Sequence, residues 1–144
     1  MTNQISDSKY CSVLLVEDNP PDASLIRKAL EEHGVEGELT VINDGERAIQ
    51  FIQGVNGEES KAPDLVILDL NLPKKSGMEV LFSIRNSDHC REIPVLVLTS
   101  SDARQDRADA ERLGASRYIC KPMRLDEFLS LGAVFKEFLT QVPG

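Results

Sequence analysis

The feature that most constrains the fold of this chain is an alternation, repeated five times, between a short apolar run and a longer amphipathic segment. The apolar runs cover residues 13–16, 39–42, 65–68, 95–98 and 118–120. The segments between them carry apolar residues at helical spacing. Short runs of this kind predict strands buried on both faces, and alternation with helices predicts a parallel sheet covered by helices on both sides. We therefore expect an α/β fold.

Local signals mark where the predicted helices begin and end. Asp22 and Asp44 stand at positions that favour a helix N-cap, and the pair Pro20 and Pro21 predicts a turn before the first helix. Gly34 and Gly114 follow helical segments, where glycine commonly ends a helix. The polar stretch 54–63 is predicted to be the one long surface loop.

Length and composition limit the classes of function. A chain of 144 residues with 41% apolar residues fits one domain with a real core. The net charge of -8 argues against a nucleic-acid surface. No apolar run is long enough to span a bilayer and the start lacks a signal peptide, so we expect a cytoplasmic protein without membrane contact. The odd, widely spaced cysteines predict reduced structural thiols: Cys11, Cys90 and Cys120.

Reactive side chains follow four of the five predicted strands. The first strand is followed by Glu17 and Asp18, the third by Asp69, the fourth by Thr99 and the fifth by Lys121. In a doubly wound, flavodoxin-like (βα)5 sheet with strand order 2-1-3-4-5, these strand ends are neighbours at the edge where such folds bind their ligands. We therefore expect three carboxylates, a hydroxyl and an ammonium to share one pocket.

This combination of groups suits phosphoryl transfer to an aspartate. Clustered carboxylates repel each other, and oxygen ligands of this kind suit Mg²⁺, which neutralises charge on a transferred phosphoryl group. Lys121 would add a second cation and Thr99 a hydrogen bond. Asp69 would be the nucleophile that forms an acyl phosphate.

Four motifs carry a resemblance to a known family. The stretches VEDNPPD, DLNLPKKSG, LTSS and YICKP resemble, in this order, the signature of the receiver domain of two-component response regulators. The resemblance implies that Asp69 is the phosphorylated residue. It further implies that Glu17, Asp18 and Asp69 bind Mg²⁺ together with the backbone carbonyl of Asn71. Lys121 would pair with the phosphoryl group.

The same resemblance assigns a conformational switch. Thr99 and Tyr118 would be the switch pair, with the Tyr118 ring swinging inward when the Thr99 hydroxyl turns toward a phosphoryl group. The bond between Lys121 and Pro122 is expected to be cis, which proline tolerates. The moving surface would comprise the fourth helix, the fifth strand and the fifth helix.

The motifs also resemble a narrower group, the Rcp-type regulators that serve bacterial phytochromes. That likeness implies a sensor histidine kinase of the bacterial phytochrome type as partner, and a downstream protein target. We expect residues 1–10 to form an N-terminal tail and residues 11–142 to form the receiver domain, without an output domain. The protein would be a phosphoacceptor that takes part in its own phosphotransfer and autodephosphorylation, rather than an enzyme.

Other interpretations of these residues remain open at this stage. Taken singly, Asp18 or Asp69 could lie in a turn, Thr99 could cap a helix, Lys121 could lie on the surface and Tyr118 in the core. A metal-dependent aspartyl-phosphate phosphatase would use a similar aspartate, but it needs a second one where this chain has Asn71. A flavodoxin-like cofactor protein would need a phosphate-binding loop after the first strand. A receiver-like module that binds partners without phosphorylation would lack a pocket residue, and none is missing here.

The C-terminal segment suggests a homodimer. Phe128, Leu131, Phe135 and Phe138 form one helical stripe, and Leu125, Leu129 and Leu139 form a second one. One helix does not easily bury both stripes against a single sheet, and exposed aromatic patches usually mark partner sites. We therefore expect this helix, with the fourth helix and fifth strand, to form a two-fold interface that phosphorylation strengthens.

Overall fold

Five parallel strands and five helices alternate along the chain in the computed structural model, which describes residues 10–56 and 62–140. The strands form one sheet in the order β2-β1-β3-β4-β5. This arrangement confirms the predicted doubly wound, flavodoxin-like fold. The elements are β1 (Tyr10–Val16), α1 (Pro20–Glu32), β2 (Glu36–Ile42), α2 (Gly45–Asn56), β3 (Leu65–Leu68), α3 (Gly77–Arg85), β4 (Val95–Thr99), α4 (Arg104–Arg112), β5 (Arg117–Cys120) and α5 (Leu125–Thr140).

The two faces of the sheet bury different sets of apolar side chains. Along β1, Leu14 and Val16 belong to a core shared with α2 and α3, whereas Val13 and Leu15 belong to a core shared with α1 and α5. This alternation follows from the two-residue period of a strand. Because the central strands are covered on both sides, β3 and β4 are buried throughout.

The observed elements differ in detail from the sequence-based prediction. The bounds of β3 are as predicted, whereas β1 and β2 begin earlier, β4 continues to Thr99 and β5 begins at Arg117. Tyr10, the last residue of the predicted tail 1–10, is the first residue of β1, and residues 1–9 lie outside the described part. The expected long loop 54–63 is also partly wrong, because α2 continues to Asn56 and buries Val55. Residues 57–61 lie outside the described residues.

The helix termini follow local chemistry. Asn19, rather than Asp22, caps α1 by accepting a hydrogen bond from the Asp22 backbone N–H at 3.0 Å. The physical reason is that the prolines before Asp22 have no N–H to offer a cap. Asp44 accepts from the Arg47 N–H at 2.7 Å, as an N-cap would. Gly34 and Gly114 adopt positive φ values of 75° and 100° and end their helices as predicted.

The aromatic residues of α5 are not an exposed patch. Phe128, Leu131, Phe135 and Leu139 are buried in the core, and Leu129 and Phe138 pack against it, which leaves Leu125 as the exposed large apolar residue of the two stripes. The aromatic argument for a homodimer is therefore wrong, because α1 and the sheet together offer α5 a wider apolar surface than the sheet does. The homodimer itself stays a prediction.

Two further expectations from composition can be compared with the structure. Cys11, Cys90 and Cys120 are not joined by disulfides in this structure. Within residues 10–56 and 62–140, no helix combines the length and the apolar character needed to cross a membrane.

Candidate functional site

The predicted site residues meet at the carboxyl edge of the sheet. Backbone hydrogen bonds continue beyond the strand ends: Glu17 N–H donates to Ile42 O at 3.0 Å, and Asp69 N–H donates to Val16 O at 3.0 Å. Lys121 N–H donates to Thr99 O at 2.8 Å. These bonds extend the hydrogen-bonded ladder by one residue beyond the strand ends, so hydrogen-bonded backbone positions the side chains of Glu17, Asp69 and Lys121.

Lys121 lies at the centre of the site. Its Nζ is 2.8 Å from Asp22 Oδ2, 3.0 Å from Glu17 Oε1 and 3.0 Å from Asp69 Oδ2. The Lys121 side chain is 10% exposed, and the Glu17 and Asp69 side chains are 1% and 5% exposed. An ammonium carries three protons, so each carboxylate can accept one of them. Buried charges are tolerable only when they are paired in this way.

Burial and charge change the protonation chemistry of this cluster. Burial by itself lowers the pKa of Lys121, but the hydrogen bonds that its ammonium donates to Asp22, Glu17 and Asp69 outweigh this effect and raise the pKa above the ordinary lysine value. Burial and the Asp69 charge raise the pKa of Glu17 to about 7, against the lowering effect of Lys121. The site therefore holds more negative charge than Lys121 compensates.

Three of the carboxylates could share a metal ion. Glu17, Asp18 and Asp69 each offer an oxygen, and these oxygens lie within 4.8 Å of one another. Hard oxygen donors with excess negative charge suit a divalent cation such as Mg²⁺. The donor set therefore fits the expected ion. The Asn71 N–H donates to Asp69 Oδ1 at 3.2 Å, and the role of the Asn71 carbonyl stays a prediction.

Glycines allow close packing of the loop that follows Asp69. A Cβ on Gly77 would lie 2.3 Å from Asp69 O, and one on Gly45 would lie 1.8 Å from Lys75 O. Ser76 caps α3 in a capping box with Glu79. Lys74 adopts a positive φ of 73° within this turn. The stretch PKKSG thus folds into a compact turn that brings the start of α3 against the backbone of Asp69.

Thr99 and Tyr118 are linked through Ser101. The fully buried Thr99 accepts at Oγ1 from Ser101 N–H at 3.4 Å, and the Tyr118 hydroxyl donates to Ser101 O at 2.9 Å. The Ser101 hydroxyl donates to Asp106 of α4 at 2.5 Å. The Tyr118 ring is 7% exposed and therefore already turned inward, with the Arg107 guanidinium 4.8 Å from its centroid. Burial raises the pKa of the Tyr118 hydroxyl.

Two observations at the site differ from the sequence-based expectation. No peptide bond within residues 10–56 and 62–140 is cis, so the expected cis bond between Lys121 and Pro122 is wrong. Trans is the intrinsically preferred isomer of a bond to proline, and Lys121 reaches its three partners with it. Asp22, expected to be a helix cap, belongs to the charge cluster. No spacing rule links it to Lys121, because 99 positions separate the two.

Comparison with known proteins places this geometry in a family. The family model of the response regulator receiver domain matches residues 13–131. Response regulator Rcp1 of Synechocystis is 37% identical over 83% of this chain and 82% of its own. A probable methanogenesis regulatory protein, FilR2 of Methanothrix harundinacea, is 36% identical over 88% of this chain and 81% of its own.

Solved structures agree with the sequence relatives. The phosphorylated cyanobacterial phytochrome response regulator RcpA superposes with a TM-score of 0.84 and 33% identity, covering 94% of this chain and 98% of its own. The Mn²⁺-bound form of Rcp1 superposes with a TM-score of 0.82 and 33% identity, covering 93% and 97%. The chain therefore belongs to the response regulator receiver domain family and is a signalling protein of the two-component type.

Proposed function

We propose that Asp69 accepts a phosphoryl group from the phosphohistidine of a sensor histidine kinase. The observation that carries this proposal is the environment of the Asp69 carboxylate, which is 5% exposed and has a donor on each oxygen: Asn71 N–H on Oδ1 and Lys121 Nζ on Oδ2. A buried carboxylate between an ammonium and further acidic side chains suits a nucleophile for a group that arrives with its own negative charge.

The transfer is a displacement at phosphorus. A carboxylate oxygen of Asp69 forms the new O–P bond while the P–N bond to the kinase histidine breaks, and the electron pair stays on the imidazole nitrogen. Lys121 donates hydrogen bonds to the transferred oxygens, and the Thr99 hydroxyl can supply another. In hydrolysis, water would attack the phosphorus while the O–P bond to Asp69 breaks, which regenerates the carboxylate and releases inorganic phosphate; we propose that the pocket residues take part in this autodephosphorylation.

We propose Mg²⁺ as the bound ion, held by Glu17, Asp18 and Asp69 with the carbonyl of Asn71. When bound, it neutralises negative charge on the phosphoryl oxygens. The oxygen cluster within 4.8 Å supports this proposal. Related receivers are known with Mn²⁺, in Rcp1, and with Mg²⁺ in the active-site cleft, in the receiver domain of the sensor kinase PA1611.

A phosphodonor experiment tests the acceptor. Wild-type protein incubated with acetyl phosphate and Mg²⁺ should gain the mass of one phosphoryl group, and Asp69→Asn should gain none because an amide is not a nucleophile here. Asp126→Asn removes an exposed carboxylate paired with Arg124, so this control should be labelled like the wild type. Equal labelling of the Asp69→Asn protein would overturn the assignment.

We propose that Thr99 and Tyr118 transmit the phosphorylated state. Ser101 supports this role, because its backbone and side chain connect Thr99, Tyr118 and Asp106 of α4. If the Thr99 hydroxyl turns toward a phosphoryl oxygen, its bond from Ser101 N–H is lost. Because Tyr118 already lies inward, this change would reach Tyr118 and α4 through Ser101.

The partners and extent of the domain complete the proposal. RcpA is a phytochrome response regulator, and its likeness to this chain supports a phytochrome-type histidine kinase as phosphodonor, with a protein as downstream target. We place the receiver domain at residues 11–142, in the cytoplasm, where kinases have access to ATP. Phosphotransfer from purified candidate kinases, with Asp69→Asn as the negative control, tests the partner.

A phosphatase is not favoured, since Asn71 occupies the position of the required second aspartate.

A further inference from the structure

The fourth carboxylate of the site, Asp22, has a position unlike that of the other three. Asp22 lies in the first turn of α1, and its Oδ2 makes the shortest of the three contacts to Lys121 Nζ, at 2.8 Å. Its side chain is 25% exposed, so this ion pair is only partly screened by water. It is not among the residues whose oxygens cluster within 4.8 Å of one another.

The other two partners of Lys121, Glu17 and Asp69, would have to bind both the ammonium and a metal ion. Glu17 and Asp69 both bind the ammonium at 3.0 Å, and both belong to the oxygen cluster that fits a divalent cation. A cation bound there competes with Lys121 for the same oxygens. An ammonium displaced from both carboxylates would need another anion to remain at the site. Within the described part of the chain, Asp22 is the carboxylate that pairs with Lys121 and lies outside that cluster.

We propose that Asp22 is a positioning residue that holds the Lys121 ammonium beside the pocket while Glu17 and Asp69 serve the metal. Asp22 does not touch the metal or the phosphoryl group and acts through Lys121. Without the Asp22 charge, Lys121 relies more strongly on Glu17 and Asp69 and becomes a stronger competitor of the cation. This inference rests on the proposed metal site and adds a residue that tunes its affinity.

A double-mutant cycle separates this role from a simple charge effect. Removing any nearby negative charge weakens cation binding through space, so the single variant Asp22→Asn is not sufficient. In the Lys121→Met background, the through-space effect persists but the holding role is gone. We expect Asp22→Asn to weaken Mg²⁺ binding about three- to tenfold more in the wild-type background than in the Lys121→Met background. Isothermal titration calorimetry with magnesium chloride gives the dissociation constants.

Two controls sharpen the result. Asp22→Glu keeps the charge within reach of Lys121 and should restore the wild-type affinity to within about twofold, although it changes the shape more than Asn does. Asp126→Asn removes a carboxylate from the first turn of another helix, where Arg124 is the partner, and should leave Mg²⁺ affinity near the wild-type value. Equal weakening by Asp22→Asn in both lysine backgrounds would overturn the holding role, as would tighter binding in Asp22→Asn.

A second measurement does not depend on the stability of the Lys121→Met variant. Buried, paired ammonium groups exchange their protons slowly enough to be observed by NMR. At saturating Mg²⁺, the wild-type spectrum should retain a Lys121 ammonium signal that Asp22→Asn loses. Retention of this signal in Asp22→Asn would overturn the proposal. If wild-type protein binds no Mg²⁺, the proposed metal site fails and the holding role fails with it. If wild-type protein binds Mg²⁺ without coupling to Lys121, only the holding role fails.

Discussion

The Tyr118 hydroxyl donates a hydrogen bond to the backbone carbonyl of Ser101 at 2.9 Å, which joins the edge strand β5 to the segment after β4. The same carbonyl accepts a weaker bond from the Cys120 thiol at 3.4 Å. Because Ser101 also contacts Thr99 and Asp106, this carbonyl lies between the candidate site and α4. The position of the Tyr118 ring is thus coupled to the backbone that follows Thr99.

Loss of the Tyr118 hydroxyl should destabilise this connection. Tyr118→Phe keeps the buried ring but leaves Ser101 O with only the thiol as a side-chain donor, so we expect a loss of about 1 kcal/mol in the free energy of unfolding. Urea denaturation measures this change. Tyr10→Phe is the matched control, because Tyr10 is 74% exposed, and it should be nearly neutral. Equal stability of the Tyr118→Phe and Tyr10→Phe proteins would contradict the structural role of this bond.

Glu17 should make stability depend on pH in the metal-free protein. Its pKa is about 7 in the fold against an ordinary value of 4.5, so the folded state keeps a proton that the unfolded chain loses first. The stabilising contribution of Glu17 to the free energy of unfolding is fully present below pH 4.5. It is lost as the pH rises toward about 7. The loss amounts to about 3 kcal/mol at most.

The variant Glu17→Gln isolates this effect, because glutamine has no proton to lose and has nearly the same shape. Urea denaturation in the presence of a chelator, at about pH 5 and about pH 8, compares the two proteins on both sides of the transition. We expect wild-type stability to fall relative to Glu17→Gln as the pH rises. A constant difference between the two proteins would show that Glu17 titrates normally.

Added Mg²⁺ should stabilise the fold, since folding gathers the carboxylates that bind it. At a concentration of about 100 times the dissociation constant, the gain is about 2.7 kcal/mol. Asp18→Ala should abolish most of this gain, and because Asp18 is exposed the variant should fold normally without metal. Thermal unfolding with and without Mg²⁺ measures the difference. An equal gain in Asp18→Ala would remove Asp18 from the metal site.

The packing of α5 on α1 depends on Gly132. A Cβ at this position would lie 2.2 Å from His33 Nδ1 and 2.3 Å from the Ala29 carbonyl oxygen. The carbonyl oxygen belongs to the backbone, so a rotamer change cannot move it aside. We expect Gly132→Ala to cost about 2 kcal/mol of stability. Gly54→Ala is a matched control, because Gly54 is also helical and has open space around it.

The control should change stability in the opposite direction. Alanine favours helix over glycine by about 0.8 kcal/mol, so Gly54→Ala should be neutral or stabilising. Opposite signs for the two substitutions would confirm that the close approach of the helices, rather than helix propensity, decides the effect. A stabilising Gly132→Ala substitution would mean that α1 and α5 separate easily.

Much of the architecture could be predicted because its signals are local. The bounds of β3 follow from a run of apolar residues, and the ends of α1 and α4 follow from the conformational freedom of Gly34 and Gly114. The meeting of Glu17, Asp69 and Lys121 also follows, since parallel strands bring their carboxyl ends to one edge.

Other features depended on contacts between distant parts of the chain. The stripes of α5 suggested an exposed face, yet Phe128 and Phe135 are buried because α1 packs beside the sheet and widens its apolar surface. Local pattern does not reveal how wide a surface the rest of the chain provides. Local pattern also failed to predict where β1 and β2 begin. Their first residues, Tyr10 and Glu36, are exposed and belong to strands only because they pair with each other.

The sequence by itself determined which chemical groups stand at the sheet edge, because strand position and side-chain identity are both properties of short segments. Only the tertiary structure decided how those groups share their charge. Asp22 and Lys121 are 99 positions apart and come within 2.8 Å because α1 and β5 meet at the same edge. Coulomb energy depends on distance in space and on exclusion of water, and neither quantity is encoded in any one stretch of residues.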